Sequence, residues 1–195
     1  MELIDAVRSR RSVGRLVDPA PSDEEILDLV TEAATGPDHG LLRPWRLITV
    51  RGDARRTLGE AFAADLPDDD AAGRERAAGK PLRAPLLLSI VLEPRENPKV
   101  PEWEQLAATA AMVHNLSLLL HAGGWGAMWR TGAPVRSPHV HKLLGLSAGE
   151  QLLGWLYVGT PRDANLPPRP PFDPRDRIYA LDPTGTVEPL AVPTR

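Results

Sequence analysis

No cysteine occurs among the 195 residues, so the chain has no disulfide, no thiolate nucleophile and no cysteine-ligated metal site. Its thiols therefore say nothing of the redox compartment. Lysine is scarce too: Lys80, Lys99 and Lys142 are the only three, and arginine supplies the rest of the 23 basic residues. A formal charge of -3 provides no global attraction to nucleic acid or anionic membrane, although it leaves room for a local arginine pocket. The first residues include Glu2 and Asp5 and lack the basic-then-apolar pattern of a signal peptide, so a cytoplasmic location is expected.

Several catalytic signatures are missing as well. There is no glycine-rich loop ending in Gly-Lys-Ser/Thr, and no Gly-x-Gly-x-x-Gly joins a strand to a helix. The five histidines, at 39, 114, 121, 139 and 141, contain no His-Glu-x-x-His. His139 and His141 would chelate only if their loop brought in other ligands, and His114 and His121 are two helical turns apart. Asp68-Asp69-Asp70 reads as a solvated loop, because successive carboxylates do not converge on one ion without a special turn. Ser9, Ser12 or Ser89 would need a neighbouring histidine base to act as nucleophile, and no spacing supplies one. Neither a metal site nor a hydrolytic triad is expected.

What the chain does have is loop-forming residues and one long apolar segment. Its 16 glycines and 21 prolines make up about 19% of the residues, against a usual total of about 12%. The length suits one domain over residues 1–195, with an extended arm from about residue 162, where apolar periodicity fades and prolines accumulate. Phe172, Ile178, Tyr179 and Leu181 favour an arm that lies along another surface, such as a second copy of the chain. The run from about Gln105 to His121 is too long for a strand and too often interrupted by small and polar groups to span a membrane. It predicts a buried central helix, and a helix apolar on nearly all sides needs cover on nearly all sides. Just beyond it stand Gly123-Gly124-Trp125-Gly126 and Trp129-Arg130-Thr131-Gly132. Two readings are open there: room for a flat ligand, or a tight turn filled by core tryptophans.

The other elements follow in chain order. Leu3, Ile4 and Val7 predict a short first helix that runs into Arg8-Ser9-Arg10-Arg11-Ser12, a cluster that is either a solvated basic surface or a phosphate clamp. Ser22 and Glu25 have the capping-box form, opening a helix with Ile26, Leu29, Val30 and Ala33 inward that stops at Gly36-Pro37. The loop from Pro37 to Trp45 carries His39, which is as readily a satisfied loop histidine as a ligand contact. A strand over Leu47–Val50 leads to a helix from Ala54 to Ala64 with Asp53 as its cap. Pro67 to Lys80 is expected to be exposed and mobile. Leu86 to Leu92 predicts a central strand buried on both faces. A further strand pair is expected at Trp125–Trp129 and Gln151–Gly159, separated by a helix that Ser137 caps and Pro138 starts.

Taken together, these pieces resemble the nitroreductase-like flavoprotein family, in particular its small, single-domain YdjA-like subgroup. The matching segments are collinear over roughly residues 2 to 161. They are Arg10-Arg11-Ser12 with Arg15, Pro19-Ala20-Pro21, Ala34-Thr35-Gly36-Pro37-Asp38-His39, Arg43-Pro44-Trp45-Arg46, Arg83-Ala84-Pro85-Leu86, Lys99 to Gln105, Trp129-Arg130-Thr131-Gly132-Ala133 and Leu156 to Pro161. The resemblance implies an α+β fold, with a mixed or antiparallel central sheet flanked by helices, in an intertwined homodimer that holds FMN at the subunit interface. It assigns Arg10, Arg11 and Ser12 to the FMN phosphate and ribityl chain. Thr35 and His39 would reach the flavin from the partner subunit, and Trp129, Arg130, Thr131 and Gly132 would complete the pocket. His121 to Gly126 matches where the nicotinamide cofactor is assigned in the subgroup. Gly40-Leu41-Leu42 departs from the polar residues that many members place toward the flavin.

The implied activity is that of an NAD(P)H-dependent flavin oxidoreductase, passing electrons from NADH or NADPH through FMN to a small nitroaromatic or quinone-like acceptor. No catalytic side chain is then required, because the flavin carries the chemistry. A flavin-dependent dehydrogenase or dehalogenase on the same scaffold, and a non-enzymic flavin-binding protein, are the alternatives.

Overall fold

A computed structural model describes residues 1–163 and 169–190, and the chain divides into two compact units, Met1–Ala164 and Asn165–Arg195. The first unit is built around β3 (Leu86–Leu92), whose seven residues are all buried. Successive side chains of a strand point to opposite faces. Leu87 and Val91 accordingly enter one apolar core, and Leu86, Leu88 and Ile90 the other.

Antiparallel neighbours complete the sheet. β2 (Trp45–Arg51) and β5 (Gln151–Pro161) flank β3, while β5 also pairs with β4 (Gly126–Arg130) and with β1 (Leu16–Val17). Every pairing is antiparallel, apart from an isolated parallel bridge between Ser12 and Ala127. One core packs the sheet against α2 (Asp23–Ala33) and α5 (Glu102–Ala122), through Ile26, Met112, Val113, Leu116 and Leu120. The opposite core uses α3 (Ala54–Ala63), α4 (Ala71–Ala78) and α6 (Pro138–Leu143), through Leu58, Phe62, Ala77 and Val140. α1 (Leu3–Ser9) packs on α5. The expected antiparallel sheet between helices is present.

Local chemistry explains most element ends. Ser22 Oγ accepts from Glu25 N at 3.1 Å while the Glu25 carboxylate accepts from Ser22 N at 2.7 Å, which closes the capping box of α2. Ser137 Oγ accepts from Val140 N at 3.2 Å and Pro138 occupies the first turn of α6. Two expectations need correction. Pro67 to Lys80 is not simply a loop: Asp70 accepts from Gly73 N at 2.8 Å and caps α4, whose alanines favour helix and whose Ala77 is buried. Asp53 itself has helical backbone angles and makes no side-chain cap, so α3 starts without one.

In the second unit, the described residues 169–190 contain a turn at Pro174–Asp176 and a hairpin of β6 (Tyr179–Leu181) with β7 (Val187–Pro189). Asp182 Oδ1 holds its turn by accepting from the amides of Thr184 and Thr186. This hairpin lies in the segment expected to be an extended arm.

Candidate functional site

The residues singled out above fall into three places. The first is the junction of α1 with β4. α1 ends at Ser9, and Arg10 turns the chain into extended backbone while its amide still donates to Ala6 O. The bridge at Ser12, with Val13 N donating to Ala127 O at 3.0 Å, then ties the cluster to β4. Arg10 is half-buried and Ser12 exposed. The Arg11 guanidinium donates to the carbonyls of Arg8 and Arg10, at 2.8 and 3.0 Å, and so serves the open end of α1. Two turns of helix and a strand bridge thus set Arg10 and Ser12 close together in the chain at this junction, with the Arg11 guanidinium folded back on the end of α1.

The second place is the far end of β4. Trp129, Arg130, Thr131 and Gly132 line a cavity of about 380 Å³ together with Phe62, Lys80, Arg83, Trp155 and Tyr157. Gly154 lets β4 and β5 meet beneath it: its φ is +115°, and a Cβ there would lie 2.3 Å from the Arg130 carbonyl oxygen. Arg130 stands over the Tyr157 ring, with Cζ 5.2 Å from the ring centre. Burial pushes the Tyr157 phenol up to about 12, against the opposing pull of Arg130 and Arg83, so it stays a neutral donor at physiological pH. Arg130 Nε and Trp155 Nε1 are buried and have no acceptor among the described residues. Among the described residues no carboxylate lies within ion-pair distance of Lys80, Arg83 or Arg130. A neighbouring groove of about 390 Å³ shares Arg83 and Arg130 and adds Gly14, Arg15 and Arg162. Cations without a carboxylate partner among the described residues, set beside aromatic side chains, suit an electron-rich planar ligand.

These two places are linked by β4. Ala127, where Ser12 docks, and Arg130 are three residues apart, about 10 Å at the strand rise.

The third place holds Thr35 and His39, and it is separate. Thr35 follows α2, is exposed and donates to Glu32 O at 2.8 Å. His39 pairs with Glu104 of α5, Nδ1 to Oε2 at 2.7 Å, and more than half of its side chain is exposed. The loop around it is tightly wound: Gly40, Leu41 and Arg43 all have left-handed backbone angles, with φ of 77°, 53° and 45°. Such angles cost non-glycine residues energy and are held by surrounding bonds. Asp38 supplies one, accepting from Arg43 N at 2.7 Å. His39 is thus not the residue that closes its own loop. Glu104 and His121 are 17 positions apart on α5, about 26 Å along the axis. Ser9 bonds His121 at one end of that helix and His39 bonds Glu104 at the other, so one chain does not gather His39 with Arg10.

Sequence reasoning assigned no role to Lys80, Arg83 or Tyr157. Arg83 stood in a matching segment, but nothing local marks its side chain as facing a cavity. Tyr157 lies within an apolar strand, and Lys80 in a stretch read as loop. Gly126, in the segment matched to nicotinamide binding, has a packing reason: a Cβ there would meet Leu16 at 2.6 Å.

The sequence profile of the Nitroreductase family matches residues 7–160. The chain belongs to the nitroreductase family. Among curated relatives, "Putative NAD(P)H nitroreductase YdjA" of Escherichia coli K12 is 33% identical over 181 residues, covering 88% of this chain and 98% of that one. The relative YfhC of Bacillus subtilis, with the same descriptive name, is 31% identical over 171 residues, covering 83% of this chain and 86% of that one. Among solved structures, a nitroreductase-like family protein from Bacillus cereus superposes with a TM-score of 0.82 at 23% identity, covering 93% of this chain and 97% of that one. The FMN and NADPH-dependent nitroreductase NfnB of Sphigopyxis sp. strain HMH superposes with a TM-score of 0.72 at 22% identity, covering 91% and 98%. These likenesses bear out the expected nitroreductase fold, and membership supports the expected class, an NAD(P)H-dependent oxidoreductase. No helix among the described residues is long and apolar enough to cross a membrane.

Proposed function

We propose that this nitroreductase family member is an FMN-dependent NAD(P)H oxidoreductase that works as a homodimer in the cytoplasm and reduces a small planar acceptor, nitroaromatic or quinone-like. The observation that carries the reading is the cavity at the end of β4. Among the described residues it combines three cations with no carboxylate in ion-pair distance, aromatic walls, and two buried donors without acceptors, Arg130 Nε and Trp155 Nε1. A flavin edge, rich in carbonyl and ring-nitrogen acceptors, fits those donors. The Arg10–Ser12 cluster lies about 10 Å along β4 from Arg130 and suits the phosphate of the same molecule. Bound FMN would supply the redox chemistry, accepting a hydride from NADH or NADPH and passing electrons to the acceptor.

The chain's own residues bind and orient. Arg10 and Ser12 hold the phosphate, with Arg11 adding charge behind them. Trp129 to Gly132 form the floor of the ring site. Lys80, Arg83 and Arg130 oppose negative charge at its electron-rich edge. Thr35 and His39 complete the site from the partner subunit, which explains why a single chain leaves them apart.

The central helix supports the dimer. It is apolar on nearly all sides, yet Trp103, Leu106, Ala107 and His114 lie on a stripe that its own chain leaves exposed, with Trp103 68% exposed. Leu3, Ile4 and Val7 of α1 are exposed as well. A second copy would cover these faces, and the C-terminal arm would lie along the same interface.

The test is the absorbance spectrum of the purified protein, followed by anaerobic titration with NADH and with NADPH and by sedimentation equilibrium. Flavin bands that bleach on adding a nicotinamide nucleotide, in a species of twice the 21.2 kDa chain mass, are expected. A colourless protein that stays colourless when FMN is added, or a monomer that holds FMN tightly, would overturn the reading.

A further inference from the structure

The last turn of α5 delivers an imidazole to the base of the arginine cluster. Ser9 Oγ donates to the Asp5 carbonyl at 2.6 Å, which uses its only proton. The nitrogen 2.7 Å away, Nε2 of His121, must therefore be the donor in that contact. In the neutral ring the proton sits on Nε2, and Nδ1 is left as the basic position. Taking up a second proton leaves the bond to Ser9 intact and changes only the charge.

That charge depends on burial and on the neighbouring arginines. Burial, then Arg10, then Arg11 hold the His121 pKa below the ordinary histidine range. α1, which packs on α5, carries Asp5 and Arg8 and is preceded by Glu2, and α5 itself carries His114 two turns earlier. On β4 no titratable group precedes Arg130, β3 has none, and α2 has Asp28 and Glu32 on its later turns. Arg10 and Arg11 are the arginines that oppose protonation most, and they belong to the proposed phosphate clamp.

We propose that His121 is a positioning residue of that clamp: through Ser9 it seats the end of α1 that carries Arg10, and it takes up a proton when a phosphate dianion docks. The inference rests on the FMN reading of Arg10 to Ser12. A dianion on the cluster offsets the share of the His121 lowering that Arg10 and Arg11 contribute, while the largest share, from burial, remains. By linkage, whatever raises proton affinity on docking also raises docking affinity on protonation. FMN affinity therefore climbs as pH falls through the window between the histidine's raised, ligand-bound pKa and its lowered, free one. Riboflavin has no phosphate, and its affinity does not follow this window.

The experiment measures the His121 imidazole titration by NMR in the full-length wild-type protein, loaded in turn with FMN and with riboflavin, in phosphate-free buffer. A higher pKa with FMN is expected, and equal values would overturn the proposal. In parallel, FMN and riboflavin affinities of wild type and His121→Gln, which keeps a donor toward Ser9, are followed by flavin fluorescence from about pH 5.5 to about pH 8.5. Comparing the two proteins cancels the titration of the FMN phosphate itself. The wild-type to variant ratio for FMN should grow about fivefold or more toward acid, while the riboflavin ratio stays flat. A flat FMN ratio, in a protein that still binds FMN far better than riboflavin, would overturn the proposal and leave the clamp standing. Wild type that binds the two flavins equally well would overturn the clamp itself.

Discussion

Arg46 on β2 and Arg130 on β4 are both strand arginines, and their guanidinium groups have opposite surroundings. Arg46 donates to both oxygens of Glu150, at 2.5 and 2.8 Å, and to the Gly145 carbonyl at 3.1 Å. The bond to Arg46 holds the Glu150 carboxyl below the usual carboxylate range, and Ser147 N adds a further bond to it at 2.6 Å. Arg130 faces an aromatic ring instead of a carboxylate, and its Nε is buried with nothing to bond. A satisfied arginine fastens one end of the sheet; an unsatisfied one lowers stability unless something else supplies its acceptor. A buried donor without a partner costs about 1–3 kcal/mol, a cost that an acceptor brought by a ligand would offset.

The contrast is broken most severely if the proposed dimer is disrupted. Ala107→Glu places a charge on the exposed stripe of α5, and sedimentation should show monomer, with FMN affinity reduced by more than about a hundredfold and the Arg46–Glu150 end unaffected. A monomer with full FMN affinity would mean that one chain completes the Arg130 site. Next comes Arg130→Leu. Loss of a charge-assisted bond predicts FMN affinity weaker by about ten- to a hundredfold, with a thermal midpoint unchanged or raised because the orphaned donor is gone. A lower midpoint together with unchanged affinity would make Arg130 a structural residue like Arg46.

Glu150→Gln should do the reverse, leaving FMN affinity intact and lowering stability by about 1–3 kcal/mol, after allowance for the partial exposure of Arg46. The folded Glu150 pKa is depressed, so this contribution is present above the unfolded carboxyl pKa and is lost as pH falls through the folded value. Urea unfolding of wild type and variant should differ at neutral pH and converge in acid; a constant difference would rule out the ion pair as the cause. The smallest effect is expected from His39→Asn. This change removes the bond to Glu104 and, on the proposed dimeric site, a contact with flavin, so a several-fold change in FMN affinity or a shifted flavin midpoint potential should appear with the sedimenting mass unchanged. Unchanged values for both would confine His39 to its pairing with Glu104.

Legibility in the sequence followed the range of the interactions. The Ser22–Glu25 capping box, the Ser137-Pro138 helix start and the seven buried residues of β3 all depend on neighbours a few positions away, and they were read correctly. α4 was missed although its signal was local, because the acidic run before it was read as solvated loop and Asp70 was not considered as a cap. The arginine-serine cluster and the Trp129–Gly132 turn were recognisable as chemistry. Their connection through Ser12 and Ala127 was not, since 115 residues separate the two sides of that bridge.

Composition and short-range pattern by themselves determined that the chain has one long apolar helix, a central strand buried on both faces, and arginine in place of lysine and cysteine. Collinear short segments were enough to point to the nitroreductase family. Tertiary structure alone decided that Lys80, Arg83 and Tyr157 share a cavity with Arg130, that Glu104 holds His39, and that one face of α5 stays uncovered. The physical reason is that helix propensity and strand alternation are set by residues within a turn or two. Which charges lack partners, by contrast, depends on side chains that the fold brings together from distant positions.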